Sequence, residues 1–406
     1  MNRRQVLGAL GVAAGGVAGL STRTHLGPLS TWTPEPGTWP LGRYDLENTA
    51  GNPQAAPAAD PSVEWRSDPT GNVSSLVADR THVYVGVEYK SPDRVRALDR
   101  TTGETVWSTA IPGRELAVRG SRLYVAAFDG VWALDVATGE TQWSASLFDF
   151  IEPTLLVTDD HLFVCDQRRV VAFDVATGER QWEFSGGPSA IADGALVTWD
   201  SAGELVRLAA RRVSDRLTGA PPPVAWGVYL DRGGVPVVDD GQVLVGIESH
   251  MGAPGLSAVA LDAGAVEWAF EPTTDTGRFS VGPPAVAADR GFVDRNYAES
   301  GGMNYQDLVA VSLADGSLDW EQAIDSELLS VIVAGETVLV ATGVFDRGAQ
   351  TTTTAGGVHA YSLTGERAWQ FDLDTAVSRV IAVDDTIYLG TTDVDGPTPG
   401  RVYALA

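Results

Sequence analysis

Lysine is almost absent from this chain. Its 406 residues include a single one, Lys90, and 28 Lys+Arg stand against 53 Asp+Glu, a formal net charge of −25. With no basic stripe to neutralise phosphates, nucleic acid is excluded as a partner. Cysteine is equally scarce. The lone Cys165 excludes an intrachain disulfide and any multi-cysteine metal site. Its place in the apolar run Leu162-Phe163-Val164-Cys165 reads as a small buried hydrophobe rather than a reactive thiol. The five histidines, His25, His82, His161, His250 and His359, show no metal-ligand spacing. No glycine-rich strand-to-helix loop suited to a phosphate occurs. Asp393-Val394-Asp395-Gly396 begins like a calcium loop but lacks the downstream glutamate. Motifs therefore assign no catalytic, cofactor-binding or metal-ligating residue.

What is present is carboxylate and periodicity. An acidic surface with almost no lysine stays hydrated when salt screens charge repulsion, and it repels itself in dilute buffer. The composition resembles that of proteins from extreme halophiles. At the N-terminus, Arg3-Arg4 precede fifteen small or apolar residues, Val6 to Leu20. That is short for a spanning helix, which needs ~20, but suits the apolar region of a signal peptide. The pair followed by Val6-Leu7 resembles a twin-arginine export signal, which predicts a protein at the cell surface or outside the cell. No cysteine follows the apolar region, so a lipid anchor is excluded. Gly19-Leu20-Ser21 is a poor cleavage site, so residues 6–20 are also a candidate membrane tether. Beyond them, Pro28, Pro34, Pro36, Pro40, Pro53 and Pro57 mark a stretch without periodicity, expected to run over the surface of the folded body.

The rest of the chain repeats. Ala97-Leu98-Asp99-Arg100-Thr101-Thr102-Gly103 leads to Trp107, Ala133-Leu134-Asp135-Val136-Ala137-Thr138-Gly139 to Trp143, and Ala172-Phe173-Asp174-Val175-Ala176-Thr177-Gly178 to Trp182. Each has the form A-x-D-x-x-T-G-x-x-x-W. Weaker copies end at Trp320, Trp369 and Trp268, and the most degenerate, Leu217-Thr218-Gly219, leads to Trp226. Trp65 lacks a preceding half, which the chain's last residues, Arg401 to Ala406, supply. Tryptophans at 65, 107, 143, 182, 226, 268, 320 and 369 are spaced like four-stranded propeller blades of ~40–50 residues. The expected fold is all-β: an eight-bladed β-propeller of four-stranded antiparallel blades, closed by pairing the strand around Trp65 with Val402–Leu405. The domain reading is a signal or anchor over residues 1–22, a linker and surface-packed extension over 23–60, and the propeller over 61–406. An indole offers ~200 Å² of apolar surface, so these eight residues read as wedges between blades rather than ligand-stacking groups.

The A-x-D-x-x-T-G-x-x-x-W pattern resembles the tryptophan-docking motif of PQQ-like (quinoprotein-type) β-propellers. Trp39-Pro40-Leu41-Gly42-Arg43-Tyr44-Asp45-Leu46-Glu47-Asn48-Thr49 is similar to the opening stretch of such domains. The family includes quinone-dependent dehydrogenases, non-enzymatic BamB-like outer-membrane assembly proteins and extracytoplasmic sensor modules. The dehydrogenases carry an adjacent cysteine pair, which a lone Cys165 cannot supply, and a Glu, Asn and Asp calcium site that no motif locates here. The resemblance leaves function open; the expectation is a non-catalytic, monomeric binding or scaffold propeller at the cell envelope that needs neither PQQ nor Ca²⁺. The alternatives are a PQQ-dependent oxidoreductase using the central funnel and a calcium-stabilised sensor.

Loop length gives the one functional pointer. Blades two to four have tight connections between their second and third strands, whereas the others insert Glu88–Arg94, Glu248–Gly255, Tyr297–Gln306, Val344–Gly357 and Thr392–Gly400. In a meander these connections emerge on one face, where binding tends to sit. A protein partner or an extended ligand is expected there, with Tyr297, Asn304, Tyr305, Phe345 and Arg347 as candidate contacts.

Overall fold

Runs of Val, Leu, Ile and Ala bounded by Gly and Asp turns form short strands, which build eight antiparallel blades around a ring. The computed structural model describes residues 27–67, 71–88, 95–147, 152–230, 233–249, 255–272, 279–298, 304–343, 356–392 and 400–406. The twin-arginine segment, the Val6–Leu20 run and the Asp393–Gly396 turn lie outside them.

Blade one shows the pattern. From the ring's axis outward it consists of Asn72–Ala78, His82–Glu88, Val95–Asp99 and Thr105–Thr109, all antiparallel. The inner three strands are covered on both sides by neighbouring blades, so they are apolar almost throughout, as in Val83-Tyr84-Val85. The outermost strand is mostly exposed, with Trp107 half-buried, which is why it carries Thr and Ser. Blades two, three and four follow over 115–146, 154–184 and 186–229, and five, six and seven over 237–270, 279–324 and 327–373. The inner strand of blade six is split into Phe279–Val281 and Ala285–Ala287 by Pro283-Pro284, which have no N–H to give the ladder.

Blade eight closes the ring. Ala376–Val383, Thr386–Thr392 and Val402–Leu405 come from the C-terminal end, and Val63–Arg66 adds the fourth strand, pairing Trp65 with Ala404 and Arg66 with Tyr403. Ser62 and Ala406 exchange backbone hydrogen bonds of 2.9 and 3.1 Å just beyond.

The repeat motif is a docking joint. Asp99 Oδ1 accepts from the backbone N–H of Thr101 and Thr102 at 2.9 and 3.0 Å, tightening the turn between the third and fourth strands. Gly103 then takes φ +72, and a β-carbon there would sit 2.4 Å from the Trp65 ring. The turn thus needs glycine twice over, for its left-handed backbone and for the indole of the preceding blade. The Trp65 indole N–H completes the joint on the Arg100 carbonyl at 2.9 Å. Trp107 and Trp143 repeat it on Val136 and Val175, and Trp226, Trp268 and Trp320 on Leu261, Leu313 and Leu363.

Two sequence readings need correction. Leu217-Thr218-Gly219 is not a docking turn. It ends a six-residue helix, Val213–Thr218, inside a long connection of blade four, with Gly219 in the left-handed conformation that stops helices. The Pro/Gly-rich extension is not a surface linker over its whole length either. Trp39, Leu41, Leu46, Ala50 and Asn52 are all no more than 2% exposed, because this strap turns inward across one mouth of the ring.

Candidate functional site

The strap, residues 39–56, is positioned by hydrogen bonds to the innermost strands. Trp39 and Ala78 of blade one bond in both directions at 2.8 Å. The carbonyls of Pro40, Leu46, Glu47, Thr49 and Ala50 then accept from Val118, Ile191, Val238, Val286 and Val333, in blades two, four, five, six and seven, at 2.8 to 2.9 Å. Gly51–Asn52 adds a short parallel strand along Val333–Ala334, and Asn52 Nδ2 donates to Ala382 of blade eight at 2.9 Å. For blade three, Leu41 and Leu46 pack into the cluster containing Leu155 and Leu156.

So tight a circuit needs unusual backbone. Tyr44, Asn48 and Ala50 have φ of 73°, 61° and 51°, a left-handed region that costs non-glycine residues energy. The bend is held locally. Asp45 accepts from the Thr49 N–H and hydroxyl at 2.9 and 2.6 Å, and Asn48 Nδ2 bridges blades four and five through the carbonyls of Ser189 and Pro236 at 2.8 and 3.0 Å. The backbone bonds from the strap fall toward the C-terminal ends of the inner strands. The strap therefore shuts the mouth on the side of the docking turns, opposite the long loops.

Above it lies a cavity of about 210 Å³, floored by Gly42, Arg43, Asn48 and Ala50 and walled by Ser75, Glu115, Thr154, Ser189, Ser330 and Arg379 among others. Arg43 is committed to the floor, donating to the carbonyls of Asn48 at 3.0 Å, Pro283 at 3.3 Å and Pro284. Burial draws its guanidinium down to about 10 against the pull of Asp45 and Asp294. Burial also pushes the Glu115 carboxyl up to about 7, despite Arg379 and a hydrogen bond with Ser75. Such a site offers one carboxyl, the Arg379 guanidinium beside the committed Arg43, and several hydroxyls: a polar recess.

Of the candidate contacts chosen from sequence, Tyr297, Asn304 and Tyr305 come together on the central hairpin of blade six, Arg290–Ala298 with Asn304–Ser312, where Tyr297 is the cross-strand partner of Tyr305 and Ala298 of Asn304. The Tyr297 ring lies 5.0 Å from the Arg295 guanidinium, which is itself paired with Asp307 and Glu321. Phe345 and Arg347 lie outside the described residues. Sequence reasoning missed Arg43, Glu115 and Arg379. A charge opening an apolar strand, as in Glu115-Leu116-Ala117-Val118, was the available signal.

A propeller closed by its own two ends, with this strap and these docking turns, defines the class. A sequence profile described as outer membrane protein assembly factor BamB matches residues 91–246 and 252–406. The chain belongs to this BamB-like, PQQ-repeat family. Among solved structures it is similar to BamB from Moraxella catarrhalis, at 13% identity over 85% of this chain and 99% of that one, with a TM-score of 0.60. It is also similar to quinohemoprotein alcohol dehydrogenase ADHIIG from Pseudomonas putida HK5 (12%, 91% and 80%, 0.67) and to that of Comamonas testosteroni (16%, 91% and 80%, 0.64). At these identities the likenesses establish the fold alone. No curated protein matches.

Proposed function

We propose that this protein is a non-catalytic, exported binding propeller that engages a protein or an extended ligand through the face bearing its long loops. The strap carries this reading. It closes the channel on the opposite side, so the recess with Glu115 and Arg379 faces the long-loop side. Three large exposed apolar side chains also sit toward that face: Phe128, in the tight second turn of blade two, Tyr229, ending the outer strand of blade four, and Leu329, near the start of blade seven.

The quinone alternative fares poorly against the residues present. PQQ is a flat tricarboxylate that needs cations and planar surfaces. The described lining has no aromatic ring, Arg43 is already saturated by carbonyls, and Glu115 would repel a carboxylate. Cys165 is buried in blade three, its thiol pushed up to about 12 by burial. No step through the group is derived.

Capture from cell envelopes in molar KCl, using the intact protein and a version with the five long loops trimmed, tests the proposal. The expected result is a specific partner lost on trimming. Unchanged capture overturns the loop-face assignment, and dye reduction on adding PQQ and Ca²⁺ overturns the non-catalytic one.

A further inference from the structure

The innermost strands carry one polar position that recurs around the axis. Ser75, Glu115, Thr154, Ser189, Ser330 and Arg379 hold it in blades one, two, three, four, seven and eight. Each stands directly before a buried apolar residue, and all six line the axial recess. In blades one, four, seven and eight the ladder register shifts just before this position. A bulge of that kind re-aims the side chain that follows it. Packing alone does not demand polar groups here, since the wall on the side of blade five is Val235.

Four of the six are hydroxyls, and the other two are opposite charges set apart. Glu115 belongs to blade two and Arg379 to blade eight, with blade one between them. They attract one another, yet among the described residues no ion pair joins them. Glu115 is hydrogen-bonded with Ser75, and the exposed Arg379 donates to the carbonyl of its neighbour Ser378 at 2.7 Å. The carboxyl lies over the strap at Gly42, where any β-carbon would collide with it, so floor and wall are fitted to each other. On the same side of the ring the hydroxyls serve as acceptors. Thr154 and Ser189 give their protons to the Cys165 and Gly187 carbonyls at 3.4 and 3.1 Å, which leaves oxygen lone pairs for a donor. The recess is therefore rich in acceptors toward blades two to four and carries its uncommitted guanidinium at blade eight.

We propose that this recess binds a small zwitterion of the amino-acid class, its ammonium group held by Glu115 and the hydroxyls of blades three and four, and its carboxylate by Arg379. Charge selects the class. A simple anion would meet Glu115 and a simple cation Arg379, whereas a ligand with both signs compensates both. An ammonium group brings three donors and a carboxylate only acceptors, which matches the division around the ring. Size agrees, because about 210 Å³ is below the ~300–1,000 Å³ of drug-sized sites. Molar salt weakens such contacts least where they are recessed, since partly buried pairs are screened much less than exposed ones. The site goes beyond the partner-binding reading and does not rest on it. It requires only that the strap shuts the opposite mouth.

The test is isothermal titration of the full chain in molar KCl with glycine, β-alanine and γ-aminobutyrate, zwitterions of increasing charge separation. At least one should bind saturably. Acetate and ethylammonium, which carry one charge each, should bind about ten-fold more weakly or not at all. Glu115→Gln and Arg379→Gln should each weaken the zwitterion by about ten-fold or more, through loss of a charge-assisted hydrogen bond. Arg180→Gln, on the outer edge of blade three, should leave it unchanged. Saturating ligand should also slow amide exchange around Gly42, Glu115 and Arg379 of the unaltered protein, a readout that survives if a recess variant fails to fold. Trimming the five long loops should leave this binding intact, because no lining residue lies in them, so loss of a partner and loss of the zwitterion are separate results. No saturable binding, equal affinity for acetate, ethylammonium or glycerol, or slowed exchange only elsewhere overturns the proposal.

Discussion

Six of the joints between blades share one construction, and the remaining two do without it. At the six, an indole lies on a turn glycine of the next blade: Trp65 on Gly103, Trp107 on Gly139, Trp143 on Gly178, Trp226 on Gly264, Trp268 on Gly316 and Trp320 on Gly365. Trp182 has no such turn to meet, because blade four replaces it with the connection containing the Val213–Thr218 helix. Its ring is nevertheless 3% exposed, beside Phe163 at 5.7 Å and next to a small cavity lined by Pro28, Leu29, Leu196 and Leu208. The stretch before the strap is pinned there by the Leu29 N–H on the Gly194 carbonyl at 2.7 Å. Trp369 faces blade eight, whose third strand, Val402–Leu405, pairs with a fourth supplied by Val63–Arg66, so no direct turn joins the two. A joint can therefore lose its turn, provided another length of chain reaches the same place. The glycine–indole lock is one solution to joining blades, and the N-terminal stretch and the paired chain ends are two others.

The comparison can be broken most severely at the closure. Deleting residues 401–406 removes the strand that joins Val63–Arg66 to Thr386–Thr392. The single cooperative urea transition should disappear, as followed by tryptophan fluorescence in molar KCl. A transition that survives intact would mean that closure contributes little. Next in size, Trp268→Ala should cost about 3–5 kcal/mol, the range for emptying a buried aromatic site. Trp369→Ala, at a half-buried joint without a turn, should cost about half as much. Equal losses in urea titrations would erase the distinction between the two kinds of joint.

Glycine sharpens it further. Gly316 and Gly241 have similar φ, +72° and +78°, but a β-carbon at Gly316 would lie 2.4 Å from the Trp268 ring, whereas at Gly241 it would meet nothing within 4 Å. Gly241→Ala should cost about 1 kcal/mol, for backbone conformation alone. Gly316→Ala should cost about 3 kcal/mol, because crowding is added. The smallest effect concerns the recess. Glu115 titrates at about 7 in the folded protein, above its ordinary 4.5. A raised carboxyl favours the folded state when protonated, so its contribution is complete below about pH 4.5 and is lost as pH rises through about 7. Glu115→Gln should flatten the stability profile over that window, read as melting temperature against pH. An unchanged slope would assign the dependence to other carboxyls.

The repeats were legible because each docking joint needs the same few atoms. A glycine under an indole and a tryptophan at near-fixed spacing, with an Asp gathering the turn's N–H groups in the clearest copies, leave a pattern that survives in sequence. Even the closure could be read, since Trp65 lacked a preceding half and the chain's end supplied one. The strap was hidden for the opposite reason. It bonds to the blades through carbonyls of whatever residues pass by, so its course imposes no repeat, and its prolines look like those of a linker. The same holds for the recess, where Arg43, Glu115 and Arg379 meet from positions far apart in sequence with no spacing to announce them.

The strap also sets an order of events. Residues 39–56 emerge from the ribosome before any blade, yet their last partners, Ala382 and Asp384, are made more than three hundred residues later. A segment made before every blade is thus among the last to reach its resting place. A chain interrupted before its final blade leaves that buried circuit incomplete, with Asn52 lacking its seat, and so advertises its own unfinished state.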